Sequence, residues 1–243
     1  MKSEIKLQKN HTLSYWRVDD VDVIVPEHEV DGEKRGGIPL CAPMFSVQQR
    51  PVDGCDLPLH GLLMYSDHGD VTHDEKSRTW TAITRFPASK IFNWDFTVTT
   101  RVTAQENTLK YHMEIKRSAE CTNENEMPLS FGFHPFFNTF GEDFSYIIND
   151  NEKSKSEIPE NIIDSDFAPY DTKKAAVLRT AAGILTMRST GFDEYCLWTD
   201  NIDSYFCIEP IYQYREFGFK NTGLSTGALK DITVNLTFTP ASD

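Results

Sequence analysis

Two short segments each place a titratable side chain directly before a proline and beside a small residue. The first is Phe131-Gly132-Phe133-His134-Pro135, and the second is Phe206-Cys207-Ile208-Glu209-Pro210. If both are strands, the bulky apolar residues share one face, and the small and titratable residues share the other. Proline restricts its own φ and favours an extended backbone before it, which holds each side chain in a defined direction. An imidazole and a carboxylate held on rigid strands can serve as an acid/base pair.

A structural interpretation competes with this one. A single His or Glu near a strand end commonly faces solvent or bonds to the backbone, because polar residues are mostly exposed. The shared context of His134 and Glu209 is what favours the chemical interpretation over the structural one.

The elements that must position these residues are predicted to be strands. In 96–102 and 232–238 every second residue is apolar, which is typical of half-buried antiparallel strands. No long segment has helical periodicity, although Ser89 to Trp94 and Ser165 to Tyr170 are predicted to form short helical turns. The pattern predicts a single all-β domain over residues 1–243, a sandwich or barrel. Further strands are predicted at 14–18, 21–26, 79–86, 92–103, 108–115, 176–187, 194–199, 205–209 and 231–238.

Composition excludes several classes of partner. The net charge of −13 over 243 residues opposes binding to nucleic acid and to anionic membranes. No segment has the apolar run of a signal peptide or a membrane span, so we expect a cytoplasmic protein. The five cysteines are odd in number and include no CxxC pair, which argues against a disulfide framework or a structural zinc site.

Four blocks of the sequence resemble, in order, the aldose 1-epimerase (galactose mutarotase-like) family. They are KRGGIPLCAP at 34–43, LPLHG at 57–61, FGFHPFF at 131–137 and CIEP at 207–210. The first is typical of the branch that contains glucose-6-phosphate 1-epimerases. The resemblance extends over nearly the whole chain and implies a β-supersandwich of antiparallel sheets, with the site on a concave face.

The resemblance also implies the activity and the roles of individual residues. The protein would be a cofactor-independent isomerase that interconverts the α and β anomers of a sugar. His134 would be the general acid that protonates the ring oxygen, and Glu209 the base that takes the anomeric hydroxyl proton. His60 and Arg35 would bind the sugar, and Asp166 matches the family's later aspartate, although a turn aspartate is an equally good interpretation.

One departure from the family pattern concerns substrate charge. In the phosphosugar branch the histidine block continues as His-Gly-Phe-Ala-Arg, whereas here it reads His60-Gly61-Leu62-Leu63-Met64. A thioether cannot bind phosphate oxygens as a guanidinium does. We therefore expect a neutral or differently substituted sugar rather than a 6-phosphate, with Arg35 in a binding or a structural role.

Two alternatives belong to other functional classes. The loop 67–75 is rich in His, Asp and Glu and could bind a metal in an all-β metalloenzyme, or form a solvated acidic surface. A non-catalytic carbohydrate-binding or sugar-sensing domain could use Trp16, Trp80, Trp94 or Trp198 to stack on sugar rings, although Trp is commonly a core residue.

Overall fold

Antiparallel strands form nearly all of the regular structure in a computed structural model of the chain. The structure describes residues 1–48, 51–158, 168–169, 171, 174–215, 217–218 and 222–241. Within these residues, 3₁₀ turns occur at Leu63–Tyr65 and Lys155–Glu157. No helix in the described ranges is long and apolar enough to cross a membrane.

The strands of the described residues are, in chain order, β1 Ser3–Leu7, β2 Leu13–Val18, β3 Val21–Asp22, β4 His28–Val30, β5 Glu33–Arg35, β6 Leu40–Cys41, β7 Asp70–Asp74, β8 Thr79–Phe86, β9 Phe96–Gln105, β10 Thr108–Arg117, β11 Phe131–Phe133, β12 Phe137–Asn138, β13 Ser145–Ile148, β14 Asn151–Ser154, β15 Ala168–Pro169, β16 Ala176–Thr180, β17 Gly183–Thr190, β18 Glu194–Trp198, β19 Tyr205–Tyr212 and β20 Leu229–Pro240.

These strands form two large antiparallel sheets and two small ones. The larger has the order β14-β13-β16-β17-β20-β10-β9-β8-β7, and the second has the order β15-β18-β19-β11-β6, with β12 also paired to β19. Strands β1, β2 and β3 form a small sheet, and β4 with β5 forms a hairpin. The all-β antiparallel class predicted from the sequence is confirmed.

The two large sheets pack face to face through aromatic side chains. Tyr111 of β10 meets Phe133 of β11 edge to face, with ring centroids 5.0 Å apart. Tyr146 of β13 lies 5.1 Å from Phe206 of β19. The buried side chains of β9 and β10 alternate with half-buried or exposed ones, as expected for a strand with one face in the core. Phe133 and Phe206 therefore anchor the two site-bearing strands in the core between the sheets.

Several strand boundaries differ from the prediction for identifiable reasons. The segment 176–187 is two strands, β16 and β17, because the chain turns at Ala181-Ala182. Only Val21–Asp22 of the predicted strand 21–26 is regular; beyond it Ile24 makes an isolated bridge to Phe137. The helical turn predicted for Ser89 to Trp94 is wrong, since Phe92 there makes a bridge to Cys55 instead. The turn predicted for Ser165 to Tyr170 lies largely outside the described residues.

Candidate active site

The register of the second sheet places His134 opposite Glu209. Phe131 pairs with Tyr212 where β11 meets β19, and Phe137 pairs with Phe206 where β12 meets the same strand. Both pairings share one register, and when this register is extended through the residues between them, it sets His134 opposite Glu209. Side chains at directly opposite positions of an antiparallel pair lie on the same face and close together. Strand register thus brings the imidazole to the carboxylate.

The block that contains Arg35 supports the histidine through the backbone. The His134 N–H donates to the carbonyl of Pro39 at 3.0 Å, and the Phe136 N–H donates to the carbonyl of Gly37 at 3.1 Å. Gly37 has φ +72°, and a Cβ there would lie 2.5 Å from the Leu13 carbonyl oxygen. Only glycine fits that left-handed, closely packed position without strain. The glycines of this block thus shape the segment that holds His134 in place.

His134 and Glu209 form a buried pair. The distance from His134 Nδ1 to Glu209 Oε1 is 3.5 Å, and the two residues are 7% and 1% exposed. The structure thus places the two groups side by side. The ring of His134 stacks on Phe136 with centroids 4.9 Å apart and meets Trp198 edge-on at 5.5 Å. These aromatic contacts fix the plane of the imidazole.

Burial controls the protonation of the imidazole. Desolvation lowers the pKa of His134 well below its usual value, and the nearby His60 ring and Arg35 guanidinium act in the same direction. These effects favour the neutral form of the ring. An ionised Glu209 carboxylate at 3.5 Å opposes this shift, because it favours the protonated ring.

His60 approaches the pair from a second direction. Its Nδ1 donates to the carbonyl of Phe45, which makes Nε2 the acceptor in the neutral ring. Its centroid lies 5.6 Å from that of His134, at an interplanar angle of 72°. The residue has φ +64°, an uncommon conformation for a residue with a side chain. This backbone conformation belongs to the turn that directs the ring toward the pair.

The three residues line one cavity of about 600 Å³. Trp198 also lines it, whereas Trp16 and Trp94 are fully buried in the core. Met64 lines it too, at the position where the phosphosugar branch has arginine. The remaining lining residues are Gly32, Glu33, Lys34, Arg35, Pro39, Phe45, Ser46, Leu59, Tyr65 and Phe136. The cavity is thus largely apolar with a few convergent polar groups, as small-molecule sites commonly are.

The cations at the rim are already paired with carboxylates. Arg35 Nη2 lies 2.8 Å from Glu33 Oε2, and its Nε lies 3.2 Å from Asp200 Oδ2. Its guanidinium carbon also lies 5.9 Å from the Trp198 ring centroid. Lys34 Nζ lies 3.0 Å from Glu27 Oε1. The charge of these two rim cations is therefore largely balanced by the protein itself.

The remaining sequence predictions have different outcomes. Asp166 lies outside the described residues. The segment 67–75 contains the whole of β7, and His73 stacks on Trp80 with centroids 4.0 Å apart. Among the described residues, none from 67–75 belongs to a cluster with metal-ligand spacing.

The sequence did not predict Asp200, the ion-pair partner of Arg35. Its only signal in the sequence would have been a carboxylate two residues after Trp198.

An aromatic ring fills the space beside Gly132, two residues before His134. A Cβ at Gly132 would overlap the ring of Phe45. Phe45 in turn accepts the His60 hydrogen bond and lies edge-on to Tyr214 at 5.7 Å. Glycine is therefore required because the aromatic floor of the cavity packs directly on the strand.

We expect Gly132→Ala to destabilise the protein and to disturb the cavity. Overpacking of a dense core costs about 1–3 kcal/mol, which lowers the melting temperature of a chain of this size by about 2–12 °C. Thermal unfolding of the variant checks this. The double variant Gly132→Ala/Phe45→Leu makes room for the added methyl group, so its loss should be smaller than the sum of the single losses. Additive losses would contradict the proposed clash.

Comparison with known proteins shows the fold. No family model matches the sequence, and no curated relative matches it. Among solved structures, a galactose mutarotase related enzyme from Lactobacillus acidophilus is 14% identical, with a TM-score of 0.74, and the match covers 99% of this chain and 96% of that one. A galactose mutarotase-like protein from Lactobacillus casei ATCC 334 is 16% identical, with a TM-score of 0.73 and coverage of 98% and 97%.

A third match is described as a galactose 1-epimerase. It comes from Lactobacillus acidophilus NCFM and is 14% identical, with a TM-score of 0.72 over 99% of this chain and 92% of that one. These matches extend over nearly the full length of both partners. The chain therefore has the antiparallel β-sandwich fold of the galactose mutarotase-like and aldose 1-epimerase proteins.

Proposed function

We propose that this protein is a sugar mutarotase, an isomerase that interconverts the α and β anomers of an aldose without a cofactor. The observation that carries the proposal is the buried His134–Glu209 pair, 3.5 Å apart, in a cavity that His60 also lines. The names of the structural neighbours support it, since all three described above refer to galactose mutarotases or epimerases.

The side-by-side arrangement suits the reaction. The ring oxygen and the anomeric hydroxyl of a pyranose are bonded to the same carbon, so an acid and a base that act on both must themselves be neighbours. A proton on His134 goes to the ring oxygen while Glu209 takes the hydroxyl proton, and the ring opens to the aldehyde. After rotation about the adjacent carbon–carbon bond, the aldehyde presents its other face. The two proton transfers then run in reverse and close the ring to the other anomer.

This scheme needs one proton in the pair throughout. It resides on His134 before ring opening and on Glu209 while the chain is open, so the total charge of the pair does not change. The lowered pKa of His134 makes the imidazolium a strong acid, which favours transfer to a weakly basic ether oxygen. The ionised carboxylate of Glu209 lowers the free energy needed to protonate the His134 ring, so the imidazolium can form.

Neutral sugars should react at least as fast as their 6-phosphates. Met64 offers no charge, and Arg35 and Lys34 are already paired with carboxylates, so a phosphate would find little unbalanced positive charge at the rim. We expect the protein to accelerate mutarotation of glucose or galactose above the buffer rate, with no preference for glucose 6-phosphate. A freshly dissolved single anomer, followed by NMR with and without protein, gives these rates. A strong preference for glucose 6-phosphate would contradict the conclusion that Arg35 and Lys34 are not available to bind a phosphate.

A non-catalytic sugar-binding domain is the second candidate, and the burial of His134 is the observation that favours it. A neutral imidazole binds sugar hydroxyls but does not protonate a ring oxygen. Titration with sugars monitored by Trp198 fluorescence, combined with the NMR assay, separates the two functions. Saturable binding with no acceleration for any hexose or pentose would favour the binding domain.

A further inference from the structure

A third potential ligand atom lies beside the acid/base pair. Cys207 stands two residues before Glu209 on β19, so its side chain is on the same face of the strand. A ring nitrogen of His134, the thiol sulfur of Cys207 and a carboxylate oxygen of Glu209 all lie within 4.8 Å of one another, and all three residues are buried. One nitrogen, one sulfur and one oxygen atom that could bind a metal are thus close together, and His134 and Glu209 also line the cavity.

The imidazole nitrogen that faces the carboxylate has no other partner. His134 Nδ1 is buried and makes no hydrogen bond within the described part of the chain, and its 3.5 Å separation from Glu209 Oε1 is too long for a good one. A buried polar atom without a hydrogen bond is costly and calls for an explanation. An atom that lies between His134 and Glu209 and bonds to His134 Nδ1 would remove that cost.

We propose that His134, Cys207 and Glu209 form a binding site for a zinc-like divalent cation, which occupies the acid/base pair in place of the sugar. Zinc binds nitrogen at about 2.0–2.1 Å, sulfur at about 2.3 Å and oxygen at about 2.0–2.2 Å, so tetrahedral ligand atoms lie about 3.3–3.7 Å apart. The 3.5 Å separation of His134 Nδ1 and Glu209 Oε1 is within this range. All three ligand atoms lie within 4.8 Å of one another, so side-chain movements of roughly 1 Å would complete the geometry. Three protein ligands leave the fourth position open toward the cavity.

Binding must displace the thiol proton. Burial raises the pKa of Cys207 well above its usual value, and the Glu209 carboxylate acts in the same direction. The cation reverses this preference because it stabilises the thiolate that coordinates it, and one proton is released. The mixed set of imidazole, thiolate and carboxylate favours zinc or cobalt over the hard cations magnesium and calcium, which prefer oxygen.

The other described cluster with similar spacing is less suited to a cation. His112, Glu114 and Asp231 lie close together on the outer face of the larger sheet. Arg101 donates to Glu114 Oε2 at 2.8 Å, and its Nη1 lies 3.3 Å from His112 Nδ1. The guanidinium already supplies the positive charge there, so this cluster serves as a control for surface binding.

Cobalt(II) added to the chelator-treated, reduced protein tests the site directly. We expect one ion per chain, a thiolate-to-cobalt charge-transfer band, and displacement by zinc. Cys207→Ser should abolish the band and weaken the affinity about tenfold or more, and Glu209→Gln, which keeps nearly the same volume, should weaken it similarly. Cys55→Ser and Asp231→Asn should retain the wild-type spectrum, since one alters a partly exposed thiol and the other the control cluster.

A cation bound between His134 and Glu209 should also inhibit mutarotation, and this prediction rests on the proposed function. Zinc should slow the mutarotation of wild-type protein at concentrations that fill the site, and Cys207→Ser should resist this inhibition about tenfold or more. Stoichiometric cobalt binding without any mutarotase activity would overturn the proposed function and leave the cation site standing. A charge-transfer band that persists in Cys207→Ser, or no stoichiometric binding to an active protein, would overturn the cation site.

Discussion

Glu209→Gln and His134→Asn are each expected to lower the rate of anomer interconversion, measured above the uncatalysed rate, by about 10²-fold or more. Glu209→Gln keeps the volume and one carbonyl oxygen but cannot accept the hydroxyl proton. His134→Asn keeps a polar side chain but cannot protonate the ring oxygen. The two residues are in contact at 3.5 Å and share one proton in the proposed cycle.

Because the pair acts as a unit, the two losses should not add. Removal of either member stops the same coupled transfer, so the double variant should be scarcely slower than the worse single one. Magnetisation-exchange NMR between the anomers measures the rates, and thermal unfolding shows that each variant is folded. Glu75→Gln, the same substitution in an exposed turn, is the matched control and should keep the wild-type rate. A folded Glu209→Gln protein with wild-type activity would remove the general base from the proposal.

Loss of stability in mild acid is the second large expected effect, and it arises away from the site. His11 is fully buried, with Nδ1 2.7 Å from Thr100 Oγ1 and Nε2 2.9 Å from Thr84 Oγ1. Burial lowers its pKa from about 6.5 to about 3. The unfolded chain therefore takes up a proton at a higher pH than the folded protein does. Folding stability is complete above about pH 6.5 and falls as the pH decreases toward 3.

The size of this effect is on the order of 3 kcal/mol at pH 4. Burial lowers the pKa of His134 as well, so its contribution has the same sign and falls below the same pH. Since typical domains are stable by only about 5–15 kcal/mol, the loss is a substantial fraction of the total.

Urea unfolding of wild type and His11→Asn at several pH values between 7 and 4 measures the contribution. Asparagine suits the left-handed backbone at position 11, where φ is +63°. We expect the variant to be less stable at pH 7 but to lose about 3 kcal/mol less than wild type between pH 7 and pH 4. His68→Asn is the control, because that ring is exposed to water in the folded protein too. If stability depended on pH in the same way for wild type and His11→Asn, the buried His11 would not be the cause of the loss in acid.

Long alternating strands were predictable because each buries one face by itself. The prediction for Thr79–Phe86 coincides with β8, and the alternation at 96–102 and 232–238 lies within β9 and β20. The short strands β4, β5, β6 and β12 were not predicted. Two or three residues carry no periodicity, and pairing with a partner distant in the chain is what makes them strands. Leu40–Cys41, for example, is a strand because β11 lies beside it.

The sequence by itself determined which residues were chemically competent at the site. His134 and Glu209 stand out because each occupies the polar face of a short apolar segment before a proline. Local pattern also predicted that Cys207 shares a face with Glu209, since side chains two apart on a strand point the same way.

Only the tertiary structure decided how these residues meet. The common register of β11 and β12 against β19 sets His134 opposite Glu209, and no local pattern encodes that register. The ion pair of Arg35 with Asp200 joins positions 165 residues apart. The ring of Phe45 fills the space beside Gly132, as the close packing of protein interiors requires. Pairing and burial depend on distant parts of the chain, whereas residue type and alternation are local.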